Sequence, residues 1–169
     1  MNIKNPYRQY MYSYPHKTAY RHLDGISLED YASCLAGPGH GLYLHLPFCR
    51  TKCGYCNLFS VTGLEQDPLQ IDRYLEAVRR QSLQYQELLK PYQTGFSEVV
   101  IGGGTPLLLT EEQLKKVFEL LEMHAPCADD RELVIETAPN ETSREKLKIL
   151  KAAGVTRDRM GIQSFSSEE

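Results

Sequence analysis

Leu42, Leu44 and Leu46 alternate with Tyr43 and His45, so Gly41 to Leu46 reads as a strand with one apolar face. From Ile71 to Lys90, Ile71, Leu75, Val78, Tyr85 and Leu88 recur at helical spacing, and Pro91 stops the run. Glu98 to Ile101 is a short apolar strand running into three glycines. Thr110 and Gln113 spell a capping box ahead of a helix whose core face is Leu114, Val117, Phe118 and Leu121. Leu133 to Thr137 is a third strand. Thr142 and Glu145 predict a second capping box, opening a helix with Leu147, Leu150 and Ala153 that Gly154 ends. Met160 to Phe165 is a fourth strand. Strand and helix thus alternate three times before a last strand, which predicts an α/β fold with parallel strands and right-handed crossovers. Four strands do not close a barrel. The sheet is therefore open or a partial barrel, and the chain is expected to be part of a longer protein.

Three of the four strands have a polar side. Tyr43 and His45 lie opposite the leucines, Glu136 shares a side with Val134, and Gln163 lies opposite Met160 and Ile162. Ligands of parallel sheets bind at the carboxyl ends of the strands. Tyr43, Glu136 and Gln163 are therefore candidates for one polar cavity, although each alone could be a satisfied core residue. Gly102-Gly103-Gly104-Thr105-Pro106 ends the second strand. It lacks the Gly-Lys-Ser/Thr ending of a phosphate loop. Two readings fit it: a backbone clamp for an amino acid or sugar, and a tight strand-to-helix turn.

The leader reads differently. Tyr7, Tyr10, Tyr12, Tyr14 and Tyr20 are interleaved with Pro6 and Pro15, and Gly37-Pro38-Gly39 closes the stretch. Residues 1–39 are expected to be an irregular arm that packs its rings on a neighbouring surface. Residues 40–169 carry the regular pattern. The opening residues have no apolar leader-like core and no stretch is long enough to span a membrane. A cytoplasmic setting follows as the expectation. The net charge of −3, mixed in sign, gives no reason to expect nucleic acid or a membrane as a partner.

The chain has 5 cysteines, three of them spaced C-x3-C-x2-C as Cys49, Cys53 and Cys56 just after the first strand. In a reducing compartment such a cluster binds metal more readily than it forms disulfides. Three thiolates can hold three corners of a [4Fe-4S] cluster and leave one iron open to a ligand. The competing reading is a structural zinc module, with Cys34, His40 or His45 as fourth ligand. Arg50 and Lys52 flank the loop, where positive charge would favour thiolates. Cys34 and Cys127 read as structural thiols.

Taken together, Leu42-Tyr-Leu-His-Leu-Pro-Phe-Cys49, Cys53-Gly-Tyr-Cys56, Ile101-Gly-Gly-Gly-Thr-Pro106, Glu136 and Gly161-Ile-Gln-Ser-Phe165 resemble the radical S-adenosylmethionine (SAM) superfamily. The closer likeness is to its oxygen-independent coproporphyrinogen III oxidase-like branch, which includes the haem chaperone group. The resemblance implies a partial (β/α)6 barrel, TIM-like, of which this chain supplies about the first four β/α units. It implies Cys49, Cys53 and Cys56 as ligands of a [4Fe-4S] cluster whose open iron takes SAM. It further implies SAM contacts from Tyr43, Tyr55, Gly103, Gly104, Thr105, Glu136 and Gln163. The intact protein would be an oxidoreductase-like enzyme, cleaving SAM reductively to abstract hydrogen from an unidentified, tetrapyrrole-related small molecule. A reductant protein such as flavodoxin or ferredoxin would serve it. The alternative within the branch is a haem-binding chaperone with little radical chemistry, for which His45 and His40 are the nearest haem ligands. Two departures stand out. Leu58 occupies the position of a further cysteine in the oxidase proper, and Asp158 and Arg159 replace an apolar residue and a serine at the fourth strand.

Overall fold

The computed structural model describes residues 21–22, 24–54, 56, 58–64, 67, 69–125 and 127–162. The Tyr/Pro-rich stretch up to Tyr20, together with Tyr55 and Gln163, lies outside them. The described elements, in chain order, are α1 (Leu28–Ala32), β1 (His40–Leu46), α2 (Gln70–Leu89), β2 (Phe96–Gly103), α3 (Glu111–His124), β3 (Cys127–Thr137), α4 (Arg144–Ala152) and β4 (Arg157–Met160). All pairings are parallel and the strand order is β1-β2-β3-β4.

Register divides the side chains between two faces. Leu42 lies beside Val99, Leu44 beside Ile101, and these beside Leu133 and Ile135. Val99, Ile101, Leu133 and Ile135 are fully buried, with Leu114, Val117, Phe118 and Leu121 of α3 and Leu150 of α4 in the same core. The helices thus cover one face. The other face presents Tyr43 beside Val100, His45 beside Gly102, Val134 beside Val100, and Glu136 beside Arg159. Polar and charged groups concentrate there, as expected of a lumen.

Local chemistry explains most boundaries. The Thr110 side chain accepts from the Gln113 N–H and the Gln113 side chain accepts from the Thr110 N–H, forming the capping box the spacing predicts. The second box does not form. Ser143, not Thr142, caps α4 by accepting from the Lys146 N–H at 3.1 Å. Thr142 instead donates to the Ala138 carbonyl at 3.0 Å, closing the turn after β3.

Three further expectations are corrected. Residues 1–39 are not wholly irregular. Ser27 and Asp30 make a capping box that opens α1, and Ala32 reaches the core. This segment is sewn to the base of β2 by Gly37 N–H to the Tyr92 carbonyl, Gly95 N–H to the Gly37 carbonyl, and Thr94 Oγ1 to the Leu35 carbonyl. β3 begins at Cys127, six residues before its apolar run, because Cys127 already pairs with Phe96; the register then shifts across the polar stretch and resumes at Glu132 beside Glu98. β4 spans Arg157–Met160, so Met160 ends the strand where the pattern had it begin. Its residues are all exposed because the strand lies at the sheet edge. Asp158, in register with Ile135, points toward the helix-covered side. Although the residue is exposed overall, partial desolvation of its carboxyl on that side raises its pKa from the usual carboxylate range.

Candidate cluster and ligand site

The cysteine loop leaves β1 through Pro47 and Phe48. Phe48 is buried and meets the Tyr74 ring edge-on at 5.2 Å. The loop then closes on itself: Val61 N–H donates to the Pro47 carbonyl at 2.7 Å, and Cys49 N–H to the Val61 carbonyl at 3.0 Å. Its base is thus fixed by backbone bonds. Cys53 and Cys56 sit on the exposed return, joined by Cys56 N–H to the Cys53 carbonyl.

All three cysteines line one cavity of about 430 Å³ at the carboxyl ends of the strands, with Gly103, Thr105, Glu136 and Arg159. The structure brings the predicted Tyr43 to the same lumenal face. Tyr55 and Gln163 lie outside the described residues. Cys34 and His40 sit at the other end: His40 starts the seven-residue β1, roughly 20 Å from its carboxyl end at the usual rise per residue. Neither can complete a zinc site with the loop cysteines. Among the described residues, no three His, Cys, Asp or Glu side chains converge on a single-ion position. A cluster needs no such convergence, because each thiolate grips a different iron.

Burial is the main influence on the Cys49 thiol and pushes its pKa up. A hydrogen bond from Thr105 Oγ1, at 3.9 Å to Sγ, opposes the rise, while charge on Cys56 and Cys53 adds to it. A metal bound through Cys49 would therefore have to displace its proton. Cys127, at the start of β3, is likewise pushed up by burial and takes no part in the cavity.

The glycine segment holds the walls of the site to one another. Gly104 N–H donates to the Leu46 carbonyl and Thr105 N–H to the Phe48 carbonyl, each at 2.8 Å. Gly103 N–H donates to Glu136 Oε2 at 3.2 Å. The backbone donors of Gly103, Gly104 and Thr105 are therefore engaged within the protein. Gly103 has φ +119°, and a Cβ there would strike the His45 ring at 2.8 Å. At Gly102 a Cβ would lie 2.7 Å from Glu136 Oε2 and 3.1 Å from the Tyr43 ring. Gly102 is what allows Tyr43 and Glu136 to face the same space.

His45 fixes the tyrosine. Its Nε2 can only donate to the Phe59 carbonyl, at 3.2 Å, so its Nδ1 accepts from Tyr43 Oη at 3.0 Å. Both ring nitrogens are engaged, so binding zinc or haem through His45 would cost one of these hydrogen bonds. Burial, followed by the charges of Glu136 and Tyr74, pushes the Tyr43 phenol pKa up, so it stays protonated.

Two features escaped the sequence reading. Arg50 donates through Nε to Glu141 Oε1 at 2.7 Å and through a second nitrogen to Oε2 at 3.0 Å. Its charge is thus matched by a carboxylate, leaving Lys52 as the loop cation on the cavity wall. Arg159 also lines the cavity, because it pairs in register with Glu136. Strand alternation would have placed it there had β4 been set three residues earlier.

The sequence pattern of the Radical SAM superfamily matches residues 43–168. The chain belongs to the radical SAM superfamily. Within that superfamily it is 39% identical over 127 residues to Heme chaperone HemW of Bacillus subtilis, covering 75% of this chain and 32% of that protein. It is 32% identical over 127 residues to the oxygen-independent coproporphyrinogen III oxidase of Escherichia coli, covering 75% and 27%. The solved structure of coproporphyrinogen III oxidase (HemN) from Escherichia coli, described as a radical SAM enzyme, superposes with TM-score 0.78 at 27% identity. That superposition covers 94% of this chain and 36% of the other. The chain thus spans about a third of the length of these relatives, and its radical SAM fold is a partial barrel with four parallel strands. Among the described residues, no helix is long and apolar enough to cross a membrane.

Proposed function

We propose that residues 40–169 form the cofactor-binding part of a radical SAM core, with Cys49, Cys53 and Cys56 as ligands of a [4Fe-4S] cluster and SAM on the remaining iron. The observation that carries this reading is the single cavity shared by the three thiols, the glycine segment and Glu136. When bound and reduced, such a cluster supplies the electron that splits SAM into methionine and the radical that takes hydrogen from a substrate.

The chain's own residues account for the rest of the site. An amino group needs acceptors. The backbone donors of Gly103 to Thr105 are already used, so this segment offers carbonyls, and Glu136 offers a carboxylate beside them. The neutral Tyr43 phenol, held by His45, stands beside Glu136 on the same face, next to the cavity lining rather than in it. Tyr55 and Gln163 are assigned SAM contacts on their sequence positions. The substrate is a small molecule of tetrapyrrole-related class, and a small redox protein is the electron source. The setting is cytoplasmic.

The test is anaerobic reconstitution of the chain. About four irons and four sulfides per chain are expected, with an electron paramagnetic resonance (EPR) signal that changes when SAM is added. A reduced cluster that does not respond to SAM would overturn the reading.

A second reading has its own support. Leu58 lies on the cavity rim where the oxidase proper has a further cysteine, and the identity to the heme chaperone of Bacillus subtilis exceeds that to the Escherichia coli oxidase. On that reading the cluster is kept and the radical chemistry is slight. Haem titration separates the two: a Soret shift without SAM cleavage favours the chaperone. A haem ligand from His45 would have to give up a hydrogen bond to Tyr43 or to the Phe59 carbonyl, and one from His40 Nε2 its bond to the Ala36 carbonyl.

A further inference from the structure

The base of the cysteine loop is closed by backbone bonds, but residues 50–54 beyond it are exposed. Among the described residues of that stretch, one side chain reaches across to another element in an ion pair: Arg50, which grips both oxygens of Glu141. The two are separated by 91 positions in the chain. Their settings are opposite. The Glu141 side chain is 7% exposed and that of Arg50 is 67% exposed.

Glu141 sits in the 3₁₀ turn Pro139–Glu141 that follows β3. That turn is held rigidly. Lys146 Nζ donates to the Glu141 carbonyl at 3.2 Å and to the Leu107 carbonyl at 2.5 Å. The Glu141 carboxylate caps no helix, since Ser143 caps α4. Burying a carboxylate against a mostly solvated arginine adds little to stability, because desolvation offsets the attraction. What the bidentate fork does fix is position. Arg50 directly follows Cys49, and Glu141 is five residues after Glu136 on the facing wall.

We propose that Arg50 and Glu141 form a clasp that ties the start of the cysteine loop, beside Cys49, to the turn after β3, and so sets how firmly the cluster is held. Both are positioning residues, acting through Cys49. The inference rests on the cluster reading above and adds to it a determinant of cluster retention.

The experiment compares anaerobically reconstituted wild type with Arg50→Met, Arg50→Lys and the double variant Arg50→Met with Glu141→Gln. Iron release to a ferrous chelator, the EPR spectrum of the reduced cluster and the melting temperature of the apo-protein are measured on each. Arg50→Met is expected to release iron about tenfold faster, the lower end of what losing a group that positions a metal ligand costs. Arg50→Lys should fall between, keeping the charge but losing the fork. The double variant should release iron as fast as Arg50→Met while its apo melting temperature returns toward wild type, since no buried charge is left unpaired. Release at the wild-type rate from Arg50→Met, or recovery of that rate in the double variant, would overturn the clasp. Failure of wild type to take up iron and sulfide would instead overturn the cluster reading, and the clasp with it.

Discussion

Glu136 Oε2 accepts the Gly103 N–H at 3.2 Å, so a carboxylate on β3 is aimed by the backbone of β2. The bond leaves its other oxygen, Oε1, for a ligand in the cavity. It also ties the acid to the same segment that seats the cysteine loop.

Replacing Glu136 with Gln keeps an acceptor for Gly103 and removes the charge. The melting temperature is expected to stay close to wild type. SAM affinity of the reconstituted chain is expected to fall about tenfold, the cost of one charged hydrogen bond. An EPR-monitored SAM titration checks this.

The two neighbouring glycines should fail in different ways. At Gly104 a Cβ would meet backbone, the Phe48 carbonyl oxygen at 2.5 Å and the Pro47 carbonyl carbon at 2.8 Å. Gly104→Ala is expected to destabilise by about 1–3 kcal/mol, as overpacking against fixed atoms does. At Gly102 the obstacles are the far end of Glu136 and the Tyr43 ring, which can move. Gly102→Ala should melt near wild type and bind SAM more weakly. Paired denaturant melts and SAM titrations separate the outcomes.

The α4 cap offers a test independent of any cofactor. Ser143→Ala is expected to cost about 1 kcal/mol. Glu145→Ala should change stability by less than about 0.5 kcal/mol, as a surface substitution without a cap role does. Urea unfolding followed by circular dichroism gives both values.

Asp158 makes stability depend on pH. Burial raises its pKa in the folded chain, so the fold binds this proton more tightly than the unfolded chain does. The stability this contributes is complete below the unfolded pKa and is lost as pH rises through the folded value. At neutral pH the ionised group weakens β4. Asp158→Asn should therefore raise the melting temperature at pH 7. The gain should vanish below about pH 4, where the native acid is already protonated. Melts at the two pH values decide it.

What the sequence revealed, and what it hid, follows from where each residue sits. The core faces of β1 and α3 were legible because one side of each is buried and the period is unambiguous; on α4 only Leu150 and Ala153 of the predicted face reach the core, and Leu147 is exposed. Leu114, Val117, Phe118 and Leu121 are the clearest case. The Thr110–Gln113 box was legible because its two residues satisfy each other. β4 was misplaced because Arg157, Asp158 and Arg159 carry no apolar alternation, and an edge strand needs none. Thr142 was mistaken for a cap because Thr142 and Ser143 are equally good cap residues. The choice between them was made by the Ala138 carbonyl, which recruits Thr142 for the preceding turn. Of the residues proposed for the site, Glu136 and the three cysteines were singled out by pattern and spacing, and they line one cavity, whereas Tyr43 stands beside Glu136 outside that lining. The Arg50–Glu141 pair joins distant segments and leaves no local trace.

β4 pairs with β3 alone among the described residues. Its outer rim therefore offers a row of hydrogen-bonding groups to any extended segment that comes alongside, a hazard for aggregation. Arg157, Asp158 and Arg159 place charges on both faces of this strand, Arg157 already paired with Glu132. They disfavour stacking against an identical, like-charged copy, while leaving room for a neighbour whose side chains complement them.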